Sequence, residues 1–462
     1  MNPLKKLLPK KKGDVDMTEG SILRHIISFS IPLLIGYIFQ QLYNTVDTWV
    51  VGNYVSDGAF AAVGTVAPII NTLIGLFMGI SSGAGVVISQ YYGANDSESV
   101  SRAVHTSIVL TVILGVVFTA AGIAMTPLML DLINMPSDAF QEAKIYLTVY
   151  FAGVIGLMLY NIGAGILRAV GDSVTPFYFL VLSAVMNIVL DLVFVLWFDM
   201  GVAGVAVATV ISQCVSAALV LLLLFKSKNA VRLRINRLKL DVKMLGSIVK
   251  IGIPSGLQMA ITAFSNIFVT SYINYFGSEC AGGWTAYSRI DQFVLIPINA
   301  ISLATTTFVG QNLGREQLDR AKQGVKKALI ITLTTTVMLG APVMIFAPNI
   351  VYFFNKNPLV IEYGAIFLRA LTPFYLACCT AMILTSALRG AGNTVTPMII
   401  MLSSYVLFRQ CYLFVVSNYI SNTEIAIAAG YPAGWCIACI ANIIYYKFVG
   451  ISNSRVVTRK NA

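Results

Sequence analysis

The chain is poor in charge: Asp, Glu, Lys and Arg make up 11% of its 462 residues, where a soluble domain carries about 25%. It holds two histidines, His25 and His105, both near expected span ends. Walker, serine–histidine–acid and H-E-x-x-H patterns are all missing, which excludes an ATP-driven pump, a triad hydrolase and a zinc peptidase of those types. No cofactor is expected, and the chain is read as a non-enzyme. The seven cysteines lie mostly inside apolar runs. Cys436 and Cys439 have C-x-x-C spacing, but Ile437, Ala438 and Ile440 around them read as a membrane helix. No second thiol pair or histidine cluster completes a redox or zinc site. Met1 to Gly20 lacks the apolar core and the small-residue cleavage site of a secretory leader.

What the chain has in abundance is apolar sequence, 57% of all residues. One core could not hide so much, so lipid must be the solvent for much of it. Twelve stretches reach the length of about 20 apolar residues that a membrane helix needs: 26–52, 60–88, 102–126, 142–165, 174–198, 202–225, 247–275, 282–309, 325–348, 361–386, 396–419 and 425–449. The net charge of +11 resides in connections rather than in a nucleic-acid patch. Alternate loops carry Arg102, Arg168, the Lys226–Lys250 run, Arg315 to Lys327 and Arg389; the others carry Asp57, Asp131, Glu142, Asp199, Glu279, Glu362 and Glu424. Under the positive-inside rule this places both termini in the cytoplasm of a multi-pass cell-membrane protein. The basic connection at 226–250 also suits anionic lipid head groups.

The chain repeats itself. Leu167-Arg168-Ala169-Val170-Gly171-Asp172-Ser173-Val174-Thr175-Pro176 returns 221 positions on as Leu388-Arg389-Gly390-Ala391-Gly392-Asn393-Thr394-Val395-Thr396-Pro397. Gln90 and Gly93 pair with Gln311 and Gly314, and Pro32 with Pro254. Six spans per copy is an even number, so the copies are parallel repeats with the pathway between them. The expected fold is an all-α polytopic membrane protein with twelve transmembrane helices in two six-helix parallel-repeat lobes and a central cleft. Its expected boundaries are a basic N-terminal segment at 1–25, a first lobe at 26–225, a linker at 226–246, a second lobe at 247–450 and a cytoplasmic tail at 451–462.

Two carboxylates sit where charge is costly, Asp47 in the first span and Asp191 in the fifth. A charge near the bilayer centre costs at least about 2.5–3.5 kcal/mol, so such residues face a cavity or a partner and mark ion routes. Asn187 precedes Asp191 by four, and Gln40, Tyr43 and Asp47 follow at spacings of three and four, so each acid shares a helix face with hydrogen-bonding groups. One reading is a carboxyl pair that takes up H+ or Na+ from one side and releases it to the other; the other is a polar contact that ties two helices together. At the repeat offset Asp47 falls on Val269, Asn187 on Phe408 and Asp191 on Tyr412, so coupling should reside in the first lobe. The second lobe holds Arg289, Asp291 and Arg409 within spans. They are either an Arg–Asp structural pair or substrate-facing groups in the cleft.

At these residues the chain resembles the multidrug and toxic compound extrusion (MATE) family. Gln40-x-x-Tyr43-Asn44-x-x-Asp47-x-x-x-Val51-Gly52 is similar to that family's first helix, and Leu167 to Asp172 followed by Asn187-x-x-x-Asp191 to its fourth-to-fifth helix region. The resemblance spans roughly 20–450. It implies a secondary active multidrug efflux antiporter, a monomer that exports organic cations in exchange for H+ or Na+ by alternating access. It implies a coupling site of Asp47 and Asp191 with Tyr43, Asn187 and Thr209, with Asn161 in the same group. The only metal it admits is Na+ at the two acids. The seventh and tenth spans hold only Glu362, at an extreme end, where one branch carries acids, which points to the DinF-like branch. The alternative is a lipid-linked oligosaccharide flippase of related architecture, which needs a strongly cationic cleft.

Overall fold

The computed structural model describes residues 16–133, 135–452 and 456–457. Twelve helices are long and apolar enough to cross a membrane: α1 Ile22–Tyr54, α2 Ala62–Gly93, α3 Ser97–Leu132, α4 Ala139–Ala169, α5 Val174–Trp197, α6 Gly201–Lys226, α7 Val242–Asn274, α8 Ser278–Gly314, α9 Leu318–Ile345, α10 Pro358–Gly390, α11 Val395–Ile420 and α12 Glu424–Phe448. Several overrun their expected spans by a turn or more; α3, expected at 102–126, is the clearest case. The extra turns are polar, so hydropathy misses them, but side chains cap them. Asp96 Oδ1 accepts from the Ser99 N–H at 2.9 Å, and Asp241 Oδ1 from those of Lys243 and Met244, each at 3.0 Å. The expected ninth span runs on to 348, but α9 stops at Ile345 and a short helix, Ala347–Phe354, starts with a proline in its first turn.

The repeated phrase is a turn. Gly171 N–H bonds Arg168 O at 3.0 Å and Asp172 N–H bonds Leu167 O at 3.0 Å. In the second copy Gly392 N–H bonds Arg389 O at 2.9 Å and Asn393 N–H bonds Leu388 O at 3.0 Å. This crossed pair is the Schellman helix ending, which needs a left-handed residue; the two glycines supply it at φ 92° and 94°. Asp172 Oδ1 then accepts from Val174 and Thr175 N–H at 3.1 and 2.9 Å, and Asn393 Oδ1 from Thr396 N–H at 3.3 Å, which starts the next helix.

The first six helices form one lobe, with α4 packed against α2, α3 and α6; the second six form the other, with α8 packed against α9 and α10. The lobes meet over the half of the bundle that carries the basic loops. There α2 and α7 touch backbone to backbone: a methyl group at Gly79 would collide with Gly256, and one at Gly83 with Gly252 and Ile248. Farther along, a methyl at Gly93 would strike Gln311 O and one at Gly314 would strike Gln90 O. The same glutamines cross between lobes, Gln90 Nε2 donating to Gly390 O at 2.9 Å and Gln311 Nε2 to Ala169 O at 2.8 Å. Ile26, Phe29 and Leu33 of α1 pack with Ala300, Ala304 and Phe308 of α8 in the same half. The linker lies on α3: Arg102 pairs with Asp241 at 3.2 Å, and Arg234 N–H donates to His105 Nε2 at 3.0 Å. His105, expected at an interface, is buried in that contact.

Small residues let these helix backbones approach in place of side-chain interdigitation. Gly79→Leu is therefore expected to cost at least about 1–3 kcal/mol of overpacking in this arrangement. In a cysteine-free background it should increase labelling, from the basic side, of a cysteine placed at the buried Ser255. Unchanged labelling would show that the seam does not depend on this contact.

Candidate functional site

Both acids are buried, Asp47 at 7% and Asp191 at 0% exposure, and their carboxyl groups lie within hydrogen-bonding reach of each other. α1 and α5 pack side by side and bring them together. Asn187, one turn before Asp191, points its Nδ2 between Asp191 Oδ1 at 3.5 Å and Thr209 Oγ1 at 3.4 Å. The Thr209 hydroxyl donates to Val205 O at 3.0 Å, which turns its lone pairs toward the amide. Tyr43 sits beside Asp47 with Gln40 next to it. Directly after Asp191, α5 loosens into a π-helical stretch, Val193–Trp197, a distortion common at functional sites.

Two members escaped the sequence reading. Tyr146 and Tyr150, a helical turn apart on α4, line the same pocket: Tyr146 neighbours Asp47, Asp191 and Tyr150, and Tyr150 neighbours Tyr43. Their spacing of four was a legible signal, but tyrosine is common in membrane helices. Asn161, expected in the group, lies about 16 Å along α4 from Tyr150. Its Nδ2 donates to Leu157 O of its own helix, 2.9 Å away, and among the described residues it forms no hydrogen bond with either acid. Helical rise alone separates it from the pocket.

The pocket is short of partners. Asp47 Oδ1, Asp191 Oδ2 and Asn187 Oδ1 are buried with nothing bonded to them, and no ion pair reaches either acid among the described residues. Two carboxylates this close in a low dielectric cannot both stay charged without a proton or small cation between them. The donor set is all hard oxygen (two carboxyls, an amide and hydroxyls), which suits a proton or Na+ and no soft metal.

The second lobe builds a different centre at the matching contact. α11 meets α7 where α5 meets α1, and the buried group there is Arg409, 2% exposed. Its Nη2 donates to Ser265 Oγ and Asn266 Oδ1, each at 2.8 Å, and its guanidinium stacks over Tyr431 at 4.7 Å. Asp291 reaches toward Tyr287 and Tyr375, and Tyr431 lies between it and Arg409. The expected Arg–Asp pair does not form: the ion pair within 4.0 Å among the described residues is Arg102–Asp241. Arg289 and Asp291 stand two apart on one helix and so point to opposite faces. The reading that all three line the cleft is corrected for Arg409, drawn into the bundle by Ser265 and Asn266, and for Asp291, drawn there among Tyr287 and Tyr375. Arg289 alone is exposed.

The cleft can be traced from polar residues that stay exposed within spans, since such groups cannot face lipid. Thr285, Arg289, Gln292 and Asn299 make one exposed stripe on α8, Thr270 and Asn274 continue the line of Asn266 on α7, and Asn44 and Asn71 stand out on α1 and α2. The floor is the seam where Gly75 meets Met259 and Leu33 packs with Ala300. The cleft therefore opens at the end opposite the basic loops, with the acid pocket behind the α1 wall.

The MatE family profile matches residues 32–193 and again 254–413, one match per lobe. "Probable multidrug resistance protein YoeA" of Bacillus subtilis is 28% identical over 441 residues, which is 94% of this chain and 95% of that protein. "Multidrug export protein MepA" of Staphylococcus aureus is 22% identical, covering 81% of this chain and 83% of its own. A solved structure described as an outward-facing conformation of a multidrug resistance MATE family transporter of the MOP superfamily superposes with a TM-score of 0.89 at 25% identity, covering 95% of this chain and 98% of the other. A twofold profile match, a fold shared over nearly the whole length and twelve apolar helices in two lobes leave one conclusion: the chain is a member of the MatE family of membrane transporters.

Proposed function

We propose that the protein is a secondary active exporter that exchanges protons for drug-like small molecules by alternating access, with its basic loops in the cytoplasm. The observation that carries this reading is the pair of facing carboxyl groups, Asp47 and Asp191, withdrawn from water with no fixed cation beside them. The names of the relatives, multidrug resistance and multidrug export proteins, support small-molecule efflux. Exposed basic residues along the linker, among them Arg232, Arg237 and Lys239, support the orientation.

The mechanism follows from the neutrality that the pocket demands. With its cleft open away from the basic loops, the pocket takes up a proton, shared by Asp47 and Asp191. Sharing relieves the repulsion between the acids and lets α1 settle against α5. Asn187 then divides its amide between Asp191 and Thr209, so a change in the charge of Asp191 is felt on α6 as well. Asn44 and Thr48 on α1 adjoin the pocket, and a small rotation of α1 alters the cleft wall that holds the exported molecule. A bound proton can bias the lobes only by binding one arrangement more tightly than the other. The α2–α7 seam is the closed gate of that arrangement, and the return step must part it.

Asp47→Asn and Asp191→Asn should each abolish proton-driven efflux of whichever dye the wild type exports, at normal membrane levels of the protein. Full efflux in either variant would remove the coupling role. Asn187→Ala removes a hydrogen bond to a charged group worth about 1.5–3 kcal/mol, so efflux should fall by roughly tenfold or more. In proteoliposomes an imposed pH gradient should drive transport and an imposed Na+ gradient should not. The reverse result would assign the pocket to Na+.

A further inference from the structure

We infer that the cleft selects amphiphiles carrying an anionic group, with Arg289 as their anchor; the inference rests on the exporter reading and names its substrate class. The expectation of organic cations came from family resemblance, and the charges around the cleft point the other way. Arg289 lies about 16 Å below the outer end of α8, exposed on the stripe it shares with Thr285, Gln292 and Asn299. A stripe so polar faces water. No acidic oxygen lies within 4.0 Å of it among the described residues.

Among the described residues, the acids buried nearest the cleft do not pair with that charge. Asp47 and Asp191 are buried behind α1, turned toward each other. Asp291, two residues from Arg289, faces the opposite way, toward Tyr287 and Tyr375. A second cation stands close behind the other wall, because Arg409 donates to Asn266 on the α7 line that faces the cleft. The field in the cleft is therefore positive, and low-dielectric walls concentrate it. A guanidinium offers a planar fork that fits carboxylate, sulfonate or phosphate with two parallel hydrogen bonds. An organic cation would meet only repulsion at that point. The apolar body of the ligand would rest on Met259 and Phe293, both exposed.

The test uses the full-length protein in phosphatidylcholine nanodiscs with two aromatic dyes of similar size, carboxyfluorescein as the anion and ethidium as the cation. Wild-type protein should bind carboxyfluorescein more tightly than ethidium. Arg289→Gln should weaken carboxyfluorescein binding about tenfold or more and leave ethidium binding unchanged or tighter. Arg289→Lys, which keeps the charge and controls for folding, should retain most of the affinity. Tighter binding of ethidium in the wild type, or carboxyfluorescein binding indifferent to Arg289→Gln, would overturn the inference. Adding phosphatidylglycerol separates the two sources of an anionic group: competition with the dye would make a lipid head group the occupant and overturn the choice of a drug-like solute, and no competition would uphold it. Proton-driven ethidium efflux without anion binding would sink this inference and leave the exporter standing. Anion binding without proton-driven flux of either dye would do the reverse.

Discussion

Two carboxyl groups that face each other out of contact with water impose one constraint on the molecule: they cannot both be ionised unless something positive lies between them. The first lobe supplies no such group. Its nearest polar neighbours are phenols, an amide and a hydroxyl from α1, α4, α5 and α6, none of which carries charge. In the proposed mechanism the balance comes from a small mobile cation, which makes the charge state of the pocket and the packing of α1 against α5 one variable. The second lobe answers the same problem internally. Arg409 is covalently attached, held by Ser265 and Asn266 and covered by the face of Tyr431. On the proposed reading one lobe has a charge centre that changes and the other has one that stays, although both are built on the same six-helix frame.

That frame is conserved between the copies where backbone geometry demands it and has diverged where side chains do chemistry. The Leu-Arg phrase recurs because a Schellman ending followed at once by a capped helix start admits few sequences. Gln90 and Gln311 recur because each closes the same cross-lobe bond from its own side. Asp47 and Asp191 have no acidic counterparts, since nothing in the frame requires them.

The glycine seam between α2 and α7 sets where the cleft can exist. Backbones in contact leave no room for a solute, so the pathway is shut from the basic end up to Gly75 and open beyond it. Among the described residues, the cleft surface above that floor carries neutral polar groups and the exposed Arg289, with Asp47 and Asp191 withdrawn into the first lobe. On the proposed reading, coupling and recognition are separated by the thickness of α1.

Composition and periodicity alone established the class of fold, the span number and the two parallel lobes, because lipid demands long apolar helices and duplication leaves its mark in spacing. They also singled out Asp47, Asp191 and Asn187, since charge inside an apolar run is costly and a separation of four puts two residues on one face. Thr209 entered through family resemblance. Tyr146 and Tyr150 stayed hidden because an aromatic residue in a membrane helix is unremarkable until its neighbours are known. Asn161 resembled a member of the group, and only helical rise put it out of reach. Arg289 and Asp291 show the limit most clearly: a separation of two within one helical turn carries them to opposite faces, and which face meets water is decided by how α8 packs against α1, α2 and α10, a contact between residues far apart in the chain.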